Sequence, residues 1–231
     1  MKLPKPSPSF RLPFMRRYLP FIIVGLVALL TIAGGTLLYR AHREPVLTLP
    51  KNRALELAHI RGNPKAPVTL EEYGDYECPP CANLAGSLKQ LAQEYGERLR
   101  IVFHHYPLVA HVHAKDAAYA AEAAGLQGRF WEMHDVLYKE QPVWARAPDV
   151  KTLFVSYAGM IGLDVERFKK DWESDQVKTR VASEQRDAAK LGVTSTPTIF
   201  INNQAVPPTA GDMAKRLREA IDAALKQKPS S

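Results

Sequence analysis

Cysteine is nearly absent from this 231-residue chain, which contains only Cys78 and Cys81. Two cysteines exclude a fold held together by several disulfides, and no second CxxC pair is present to complete a four-ligand zinc site. The sequence also lacks a GxGxxG fingerprint, a P-loop and a CxxCH haem motif, since residue 82 is alanine. We therefore expect no metal and no cofactor beyond the two thiols themselves.

Acidic residues are almost absent from the first 44 positions, which hold seven Lys and Arg but only Glu44. Subtracting these from the totals of 31 and 24 leaves 24 basic and 23 acidic residues in positions 45–231. The formal net charge of +7 is thus a property of the N-terminal segment. Because the rest of the chain has no basic stripe with interleaved aromatic residues, we expect no nucleic-acid partner.

No charge interrupts positions 20–39, which read PFIIVGLVALLTIAGGTLLY. About 20 apolar residues suffice for a helix that crosses a bilayer, whereas a cleaved signal peptide has an apolar region of roughly 7–15 residues. We predict a transmembrane anchor at 20–39, preceded by a basic cytoplasmic segment at 1–19 and followed by a tether at 40–61. A long signal sequence is the alternative.

The orientation of this span rests on two observations. Five basic residues precede the span and four follow it closely, which is a weak positive-inside bias. Exported compartments also support disulfide exchange, whereas a dithiol in the cytosol is kept reduced. We therefore place the N-terminus in the cytoplasm and the body outside the cytoplasmic membrane, in the periplasm where an outer membrane exists.

Periodicity and turn residues predict an α/β fold. A first half, strand–helix–strand, covers 68–73, 78–95 and 98–104. A second half, strand–strand–helix, covers 198–201, 204–206 and 210–226. The two halves would form one mixed sheet flanked by helices, with helices at 114–124, 130–138, 150–160, 165–174 and 176–191 inserted between them. A short helix is predicted at 52–59 in the tether.

The two cysteines are spaced as Cys78-Pro79-Pro80-Cys81 at the start of the first of these helices. Zinc binding would need further ligands, and His111 and His113 have a spacing that suits no single helical face. A static disulfide would contribute little, because so short a loop has little closure entropy. These two alternatives leave an exchanging dithiol as the favoured interpretation.

The position of Cys78 predicts its chemistry. Unpaired amides and a partial positive charge at a helix N-terminus favour the thiolate, so Cys78 is expected to be the attacking sulfur and Cys81, one turn inside, the resolving one. Pro79 and Pro80 restrain the loop but donate no hydrogen bond to the thiolate. We therefore expect a dithiol less oxidising than the strongest known oxidases.

Glu72 and the Thr196-Pro197 step are the remaining candidate site residues. Glu72 shares a strand face with the apolar residues Val68 and Leu70. Burying a carboxylate on such a face costs free energy unless it has a partner or a functional role. It is a candidate acceptor for the Cys81 proton, the alternative being an exposed residue on a twisted strand. Pro197 stands before a β-branched strand and is either a cis proline that presents Thr196 to a substrate or an ordinary trans proline.

Four blocks of the sequence, in this order, resemble the DsbA-like thiol:disulfide oxidoreductases. They are GNPKAPVTLEEYGDYECPPC, FHHYPLVAHVHAKDAAYAAEAA, GRFWEMHDVLY and LGVTSTPTIFINN. The resemblance covers about 62–226, leaving a tail at 227–231. It implies a thioredoxin domain with a helical insertion at about 107–191.

By this resemblance Cys78 matches the nucleophile, Cys81 the buried cysteine, Glu72 the buried acid, Pro197 the cis proline and Thr196 the residue before it. The Pro-Pro pair between the cysteines departs from the Pro-His of the strong oxidases. The direction of exchange therefore stays open.

The resemblance and the residues together predict a membrane-anchored enzyme, most simply a dithiol oxidase for exported proteins. An integral membrane partner, either a quinone-linked oxidase or a transmembrane electron carrier, would reset its redox-active disulfide. The alternatives are a disulfide reductase or isomerase on the same fold, a peptide-binding chaperone without catalysis, and a copper or zinc carrier.

Overall fold

A computed structural model describes residues 13–41, 47–50, 59–208 and 211–227 of the chain. The chain divides into two units, Met1–Pro45 and Val46–Ser231. The first contains helix α1 (Pro13–Ala41), which extends beyond both ends of the predicted span. Within it, Phe21–Leu38 has a mean hydropathy of 2.5 and exposed side chains. By length and composition, this is the one helix among the described residues that is able to cross a membrane.

The second unit is built on a mixed sheet. In its described part the strands, in chain order, are β1 (His59–Gly62), β2 (Val68–Gly74), β3 (Leu99–His105), β4 (Thr198–Ile201) and β5 (Gln204–Val206). Their spatial order is β1-β3-β2-β4-β5. Strands β2 and β3 are parallel, and the other neighbours are antiparallel. The predicted thioredoxin-like mixed sheet is confirmed.

Helices flank this sheet and fill the connection between β3 and β4. They are α2 (Pro79–Tyr95), α3 (Ala114–Gly125), α4 (Phe130–Lys139), α5 (Gln141–Trp144), α6 (Val150–Met160), α7 (Val165–Trp172), α8 (Asp175–Lys190) and α9 (Met213–Lys226), with a 3-10 turn at Gly96–Arg98. Helix α5 was not predicted, because Pro142 was interpreted as a break. Pro142 lies in the first turn of α5, where a helix needs no amide donor.

Strand β1 is the main departure from the sequence prediction. The predicted helix at 52–59 lies outside the described residues except for His59, which begins β1 instead. The four residues of β1 are too few to show a period, and their strand state comes from antiparallel pairing with β3. Trp131 Nε1 also donates to the Ile60 carbonyl (3.0 Å). Part of the predicted tether therefore belongs to the sheet.

Strand β2 is buried on both faces, along all seven residues. The alternative of an exposed Glu72 beside Glu71 is wrong, since both side chains are buried. Glu71 contacts His104 on one face (Oε2–Nε2 2.9 Å). Such complete burial is typical of a central strand covered by helices on both sides.

The two cysteines belong to the apolar core of the helical block. Their side chains pack in one cluster with Tyr76, Phe103 and residues from α3 to α8, including Trp144 and Phe154. The insertion between β3 and β4 therefore supplies the apolar surroundings of the dithiol.

Candidate active site

Cys78 is the N-cap residue of α2, with φ −75° and ψ 117°, and Pro79 follows it in the first turn. The structure shows the reduced form, in which both cysteines are free. The pKa of Cys78 is lowered to about 6, chiefly by a hydrogen bond from the Cys81 thiol, and further by the Thr196 hydroxyl and the Cys81 amide. Burial and the charge of Asp75 oppose this shift. Cys78 is therefore largely a thiolate at neutral pH.

Cys81 lies one turn into α2 and has no exposed surface. Burial raises its pKa far above the ordinary value, and its hydrogen bond to Cys78 and the charge of Glu72 act in the same direction. The two thiols thus differ strongly in acidity although they lie on the same helix turn. Such asymmetry is what stepwise disulfide exchange requires, because one sulfur attacks while the other stays protonated.

The Thr196-Pro197 peptide bond is cis, and it brings Thr196 beside the dithiol. The Cys78 sulfur lies 3.4 Å from the Thr196 carbonyl oxygen, to which it donates when the thiol is protonated. Among the described residues the buried Thr196 hydroxyl has no closer hydrogen-bond partner, so it is available to donate to the Cys78 thiolate, whose pKa it lowers.

A groove of about 580 Å³ begins at Thr196 and Pro197 and is lined by the N-terminal parts of α2 and α9. Its lining includes Pro80, Leu84, Pro197, Met213 and Arg216. Pro79 and Pro80 are both exposed at the rim of the site.

Glu72 lies beneath the dithiol, on the central strand. Burial raises its pKa to about 8, with the charge of Cys78 acting in the same direction and Arg61 opposing it. Its Oε1 atom is buried and has no hydrogen-bond partner among the described residues, and the same holds for the hydroxyl of nearby Tyr138. A carboxyl group in this state is protonated at pH 7 and lies within electrostatic reach of both sulfurs.

Three further side chains contact the active-site turn, and the sequence analysis did not single them out for it. Gln141 of α5 donates to the backbone carbonyls of Tyr76 (2.7 Å) and Cys78 (3.0 Å). Asp75 accepts a hydrogen bond from the backbone of Glu77, and His111 contacts the same carboxylate. Asp75 precedes Cys78 by three residues, and this proximity in the sequence could have indicated that it lies at the active-site turn. Gln141 gives none, since it lies 63 residues from Cys78.

One group of side chains has the composition of a metal site in the described part of the chain, namely His59, His105 and Glu122. The Nε2 atoms of both histidines contact Glu122 Oε1, at 2.7 and 2.9 Å. The Nε atom of Arg180 donates to the same oxygen (3.0 Å), and His105 Nδ1 is buried and has no hydrogen-bond partner among the residues that the structure describes. Metal-binding histidines usually donate their second ring nitrogen to an acceptor. We therefore interpret these four residues as a hydrogen-bond network in which Arg180 and Glu122 form an ion pair.

The geometry defines a thioredoxin-fold protein with a dithiol at a helix N-terminus, next to a cis proline. The sequence model described as Thioredoxin matches residues 55–223, and the chain belongs to this family. A thioredoxin-like oxidoreductase from Silicibacter pomeroyi DSS-3 is 28% identical, with a TM-score of 0.62 over 74% of this chain and 94% of that one. DsbA2 from Pseudomonas aeruginosa is 25% identical, with a TM-score of 0.59 over 78% and 100%. The predicted resemblance to DsbA-like oxidoreductases is confirmed.

Curated relatives of higher identity have a different name. The chain is 41% identical over 167 residues to Na(+)/H(+) antiporter NhaA 1 of Mycolicibacterium gilvum (strain PYR-GCK), which covers 70% of this chain and 26% of that protein. The NhaA antiporter of Herminiimonas arsenicoxydans is 38% identical over 168 residues, which cover 73% and 24%. The chain spans about a quarter of the length of these relatives.

Proposed function

We propose that this protein is a thiol:disulfide oxidoreductase that oxidises pairs of thiols in exported proteins through Cys78 and Cys81. The observation that supports this most directly is the placement of the two thiols, Cys78 at the N-cap of α2 and Cys81 buried one turn inside, which lowers the pKa of Cys78 and raises that of Cys81. A stabilised Cys78 thiolate favours the reduced form of the enzyme, and hence transfer of the disulfide to a client. The redox group in this proposal is the Cys78–Cys81 disulfide, without another cofactor.

The exchange proceeds in two balanced steps. A client thiolate attacks Cys78 of the oxidised enzyme, which forms a client–Cys78 disulfide and breaks the Cys78–Cys81 bond. The Cys81 sulfur leaves with the electron pair and takes up a proton. A second client thiolate then attacks the client sulfur of the mixed disulfide, and Cys78 leaves as a thiolate. The client is oxidised by two electrons, and the enzyme dithiol is reduced.

The proton for Cys81 is assigned to Glu72. Its carboxyl group is protonated below pH 8, whereas the buried Cys81 sulfur has a strong preference for its protonated form. In the reverse direction, when Cys81 attacks a mixed disulfide, the Glu72 carboxylate accepts the proton instead.

The Glu72→Gln variant tests this assignment, because the amide has the same shape but transfers no proton. We expect reduction of the Cys78–Cys81 disulfide by dithiothreitol to slow by about a hundredfold at pH 7. Since the pKa of Glu72 is about 8, the ratio of wild-type to variant rates should shrink as the pH rises above that value. Stopped-flow tryptophan fluorescence from pH 6 to 9 measures the ratio.

Glu71→Gln is the control for this experiment, because Glu71 is also buried on β2 but contacts His104 instead of the dithiol. Its rate ratio should not change with pH between 6 and 9. Equal slowing in both variants would assign the effect to the strand and not to proton transfer by Glu72.

The direction of exchange is tested by the redox potential of the dithiol. A Cys78 pKa of about 6 lies between the thiol pKa values of about 7 and about 3.5 that accompany potentials of about −270 mV and about −120 mV in known oxidoreductases. We therefore expect a potential between these limits. Equilibration with glutathione measures it, and oxidative refolding of a reduced client, alongside insulin reduction, separates an oxidase from a reductase or isomerase. A potential below about −270 mV would favour the reductase.

Client proteins are proposed to bind in the groove beside Thr196. An extended client segment could hydrogen-bond the Thr196 backbone, next to the Cys78 sulfur, while its side chains contact apolar lining residues such as Leu84 and Met213. A peptide-holding chaperone would use the same groove without the sulfurs, and substitution of Cys78 separates the two functions.

We further propose that helix α1 anchors the protein in the cytoplasmic membrane, with the catalytic unit on the outer side and the N-terminus in the cytoplasm. The uninterrupted apolar stretch Phe21–Leu38 supports this. An integral membrane protein, either a quinone-linked oxidase or an electron carrier, would reset the dithiol. Carbonate extraction and protease digestion of spheroplasts test the topology, and recovery in the soluble fraction would indicate a cleaved signal sequence instead.

The relatives named as sodium/proton antiporters support one more partner proposal. Because about a quarter of those proteins corresponds to this chain, an antiporter in the same membrane is a candidate partner. Crosslinking of the full-length chain in membranes, followed by mass spectrometry, would identify it. Recovery of crosslinked products without any antiporter would contradict the proposal.

A further inference from the structure

The carboxylate of Asp75 is buried directly before the dithiol. Its side chain has no exposed surface, and its Oδ1 atom accepts a hydrogen bond from the Glu77 amide (2.8 Å). The Asp75 backbone carbonyl accepts from the Cys78 amide (3.1 Å), and a hydrogen bond from the Asp75 backbone favours the Cys81 thiolate. Asp75 is therefore next to both sulfurs, and its negative charge opposes ionisation of Cys78.

The loop after β3 supplies two more donors to this carboxylate. The Leu108 amide donates to Asp75 Oδ2 (2.8 Å), and His111 Nδ1 lies 2.7 Å from the same oxygen. Because Asp75 Oδ2 already accepts a hydrogen bond from the Leu108 amide, we take His111 Nδ1 as the second donor to this oxygen. The imidazole is a quarter exposed, whereas the carboxylate that it contacts is inaccessible.

We propose that His111 is a positioning residue that acts through Asp75 to favour the thiolate form of Cys78. By donating to the Asp75 carboxylate, it fixes that group in place and offsets part of its negative charge at the sulfur. No histidine stands between the two cysteines, and His111 acts from the loop after β3 instead. The inference rests on the proposed function, since it concerns the acidity and oxidising power of the same dithiol.

The loop does not depend on His111 alone for its position. Two backbone amides hold it to the active-site turn independently, Leu108 to Asp75 and His113 to Glu77 Oε2 (2.6 Å). Removal of the His111 side chain therefore deletes one donor to Asp75 and leaves both backbone contacts. A change in thiol chemistry can thus be separated from loss of the loop structure.

The test uses the full-length protein in detergent. The rate of Cys78 alkylation by iodoacetamide is followed from pH 4 to 8, and the equilibrium constant with glutathione is measured at pH 7. In His111→Ala, the Cys78 thiolate fraction at pH 5 should fall by about three- to tenfold, and the equilibrium should move by a similar factor toward the enzyme disulfide. His111→Asn, whose amide nitrogen can occupy the position of Nδ1, should recover most of the wild-type behaviour.

Two controls locate the effect. His113→Ala removes a neighbouring imidazole but retains its backbone contact with Glu77, so it should match the wild type. In an Asp75→Asn background, His111→Ala should cause no further change, because the charge through which it acts is gone. A full His111→Ala effect in that background would overturn the proposed route through Asp75.

Failure of this inference is distinguishable from failure of the proposed function. An active wild-type dithiol with an acidic Cys78, together with a His111→Ala variant that has the same alkylation profile and equilibrium constant, overturns the role of His111 only. A wild-type Cys78 that behaves as an ordinary thiol overturns both.

Discussion

Cys78→Ser is expected to reduce disulfide transfer to a client peptide to the uncatalysed rate, a loss of at least about a thousandfold. The reason is that Cys78 is the sulfur with the lowered pKa, while Cys81 is buried and strongly disfavours its thiolate. The chain has no third cysteine that could replace Cys78. The rate of disulfide formation in a fluorescent client peptide with two thiols is measured, and mass spectrometry confirms the product.

The serine substitution is well suited to this experiment, because it should leave the fold intact. Cys78 occupies the N-cap position of α2 with extended backbone angles, and serine is among the preferred residues there. The melting temperature of Cys78→Ser should therefore equal or exceed that of the reduced wild type. Unaltered function of this variant in cells would favour a chaperone that holds peptides without chemistry.

Cys81→Ser is the matched variant and should behave differently. It retains the reactive Cys78 but lacks the resolving sulfur, so mixed disulfides with clients should accumulate and be visible on non-reducing gels. If both variants trapped clients equally, or neither did, the assignment of attacking and resolving roles would be wrong.

Most of the sheet and helices could be predicted because local signals agreed with the fold. Strand β2, the start of α2 at Pro79 and the Thr198–Ile201 strand each combine a clear hydrophobic pattern with turn residues at their ends. Strand β1 and helix α5 could not be predicted, because four residues show no period. Their conformation depends on partners far along the chain, β3 for β1 and the active-site turn for α5.

The parts of the candidate site that belong to short sequence motifs could be predicted. The CxxC pair and the Thr196-Pro197 step can be recognised directly in the sequence. Glu72 was a candidate because it shares a strand face with apolar residues. The electrostatics could not be predicted, since they arise from contacts between distant segments. From the sequence His111 was considered only as a zinc ligand, whereas in the structure it contacts Asp75, 36 residues earlier.

The helical insertion links stability to redox chemistry in this fold. It encloses Cys81 in an apolar cluster, which raises the pKa of that thiol, and Gln141 of α5 holds the backbone of the dithiol turn. The insertion is in turn joined to the sheet by the network around Glu122, which connects α3 and α8 with β1 and β3. Loosening this network should therefore affect the site as well as the fold.

Glu122→Gln is expected to lower the free energy of unfolding by about 3 kcal/mol at pH 7, because it removes the charge that three buried or half-buried donors share. Burial alone would raise the pKa of Glu122, but hydrogen bonds from His105 and His59 outweigh it and hold that pKa well below its usual value. Urea unfolding of the full-length protein in detergent, followed by tryptophan fluorescence, measures the loss.

Glu132→Gln is the matched control, since Glu132 also lies on a helix and pairs with an arginine (Arg129 Nη1–Glu132 Oε1 2.8 Å). The side chains of Arg129 and Glu132 are both about half exposed, and such surface pairs contribute about 0–1 kcal/mol. The same chemical change should therefore have a several-fold smaller effect at position 132. Equal losses at the two positions would contradict the structural role assigned to the network.

The pH dependence of the Glu122→Gln effect has a definite sign. A carboxyl group whose pKa is lowered by folding stabilises the protein above its unfolded pKa of about 4.5, and this contribution is lost as the pH falls below that value. The stability difference between wild type and Glu122→Gln should therefore be largest near neutral pH and shrink toward pH 3. A difference that stays constant over this range would show that Glu122 acts through its shape and not through its charge.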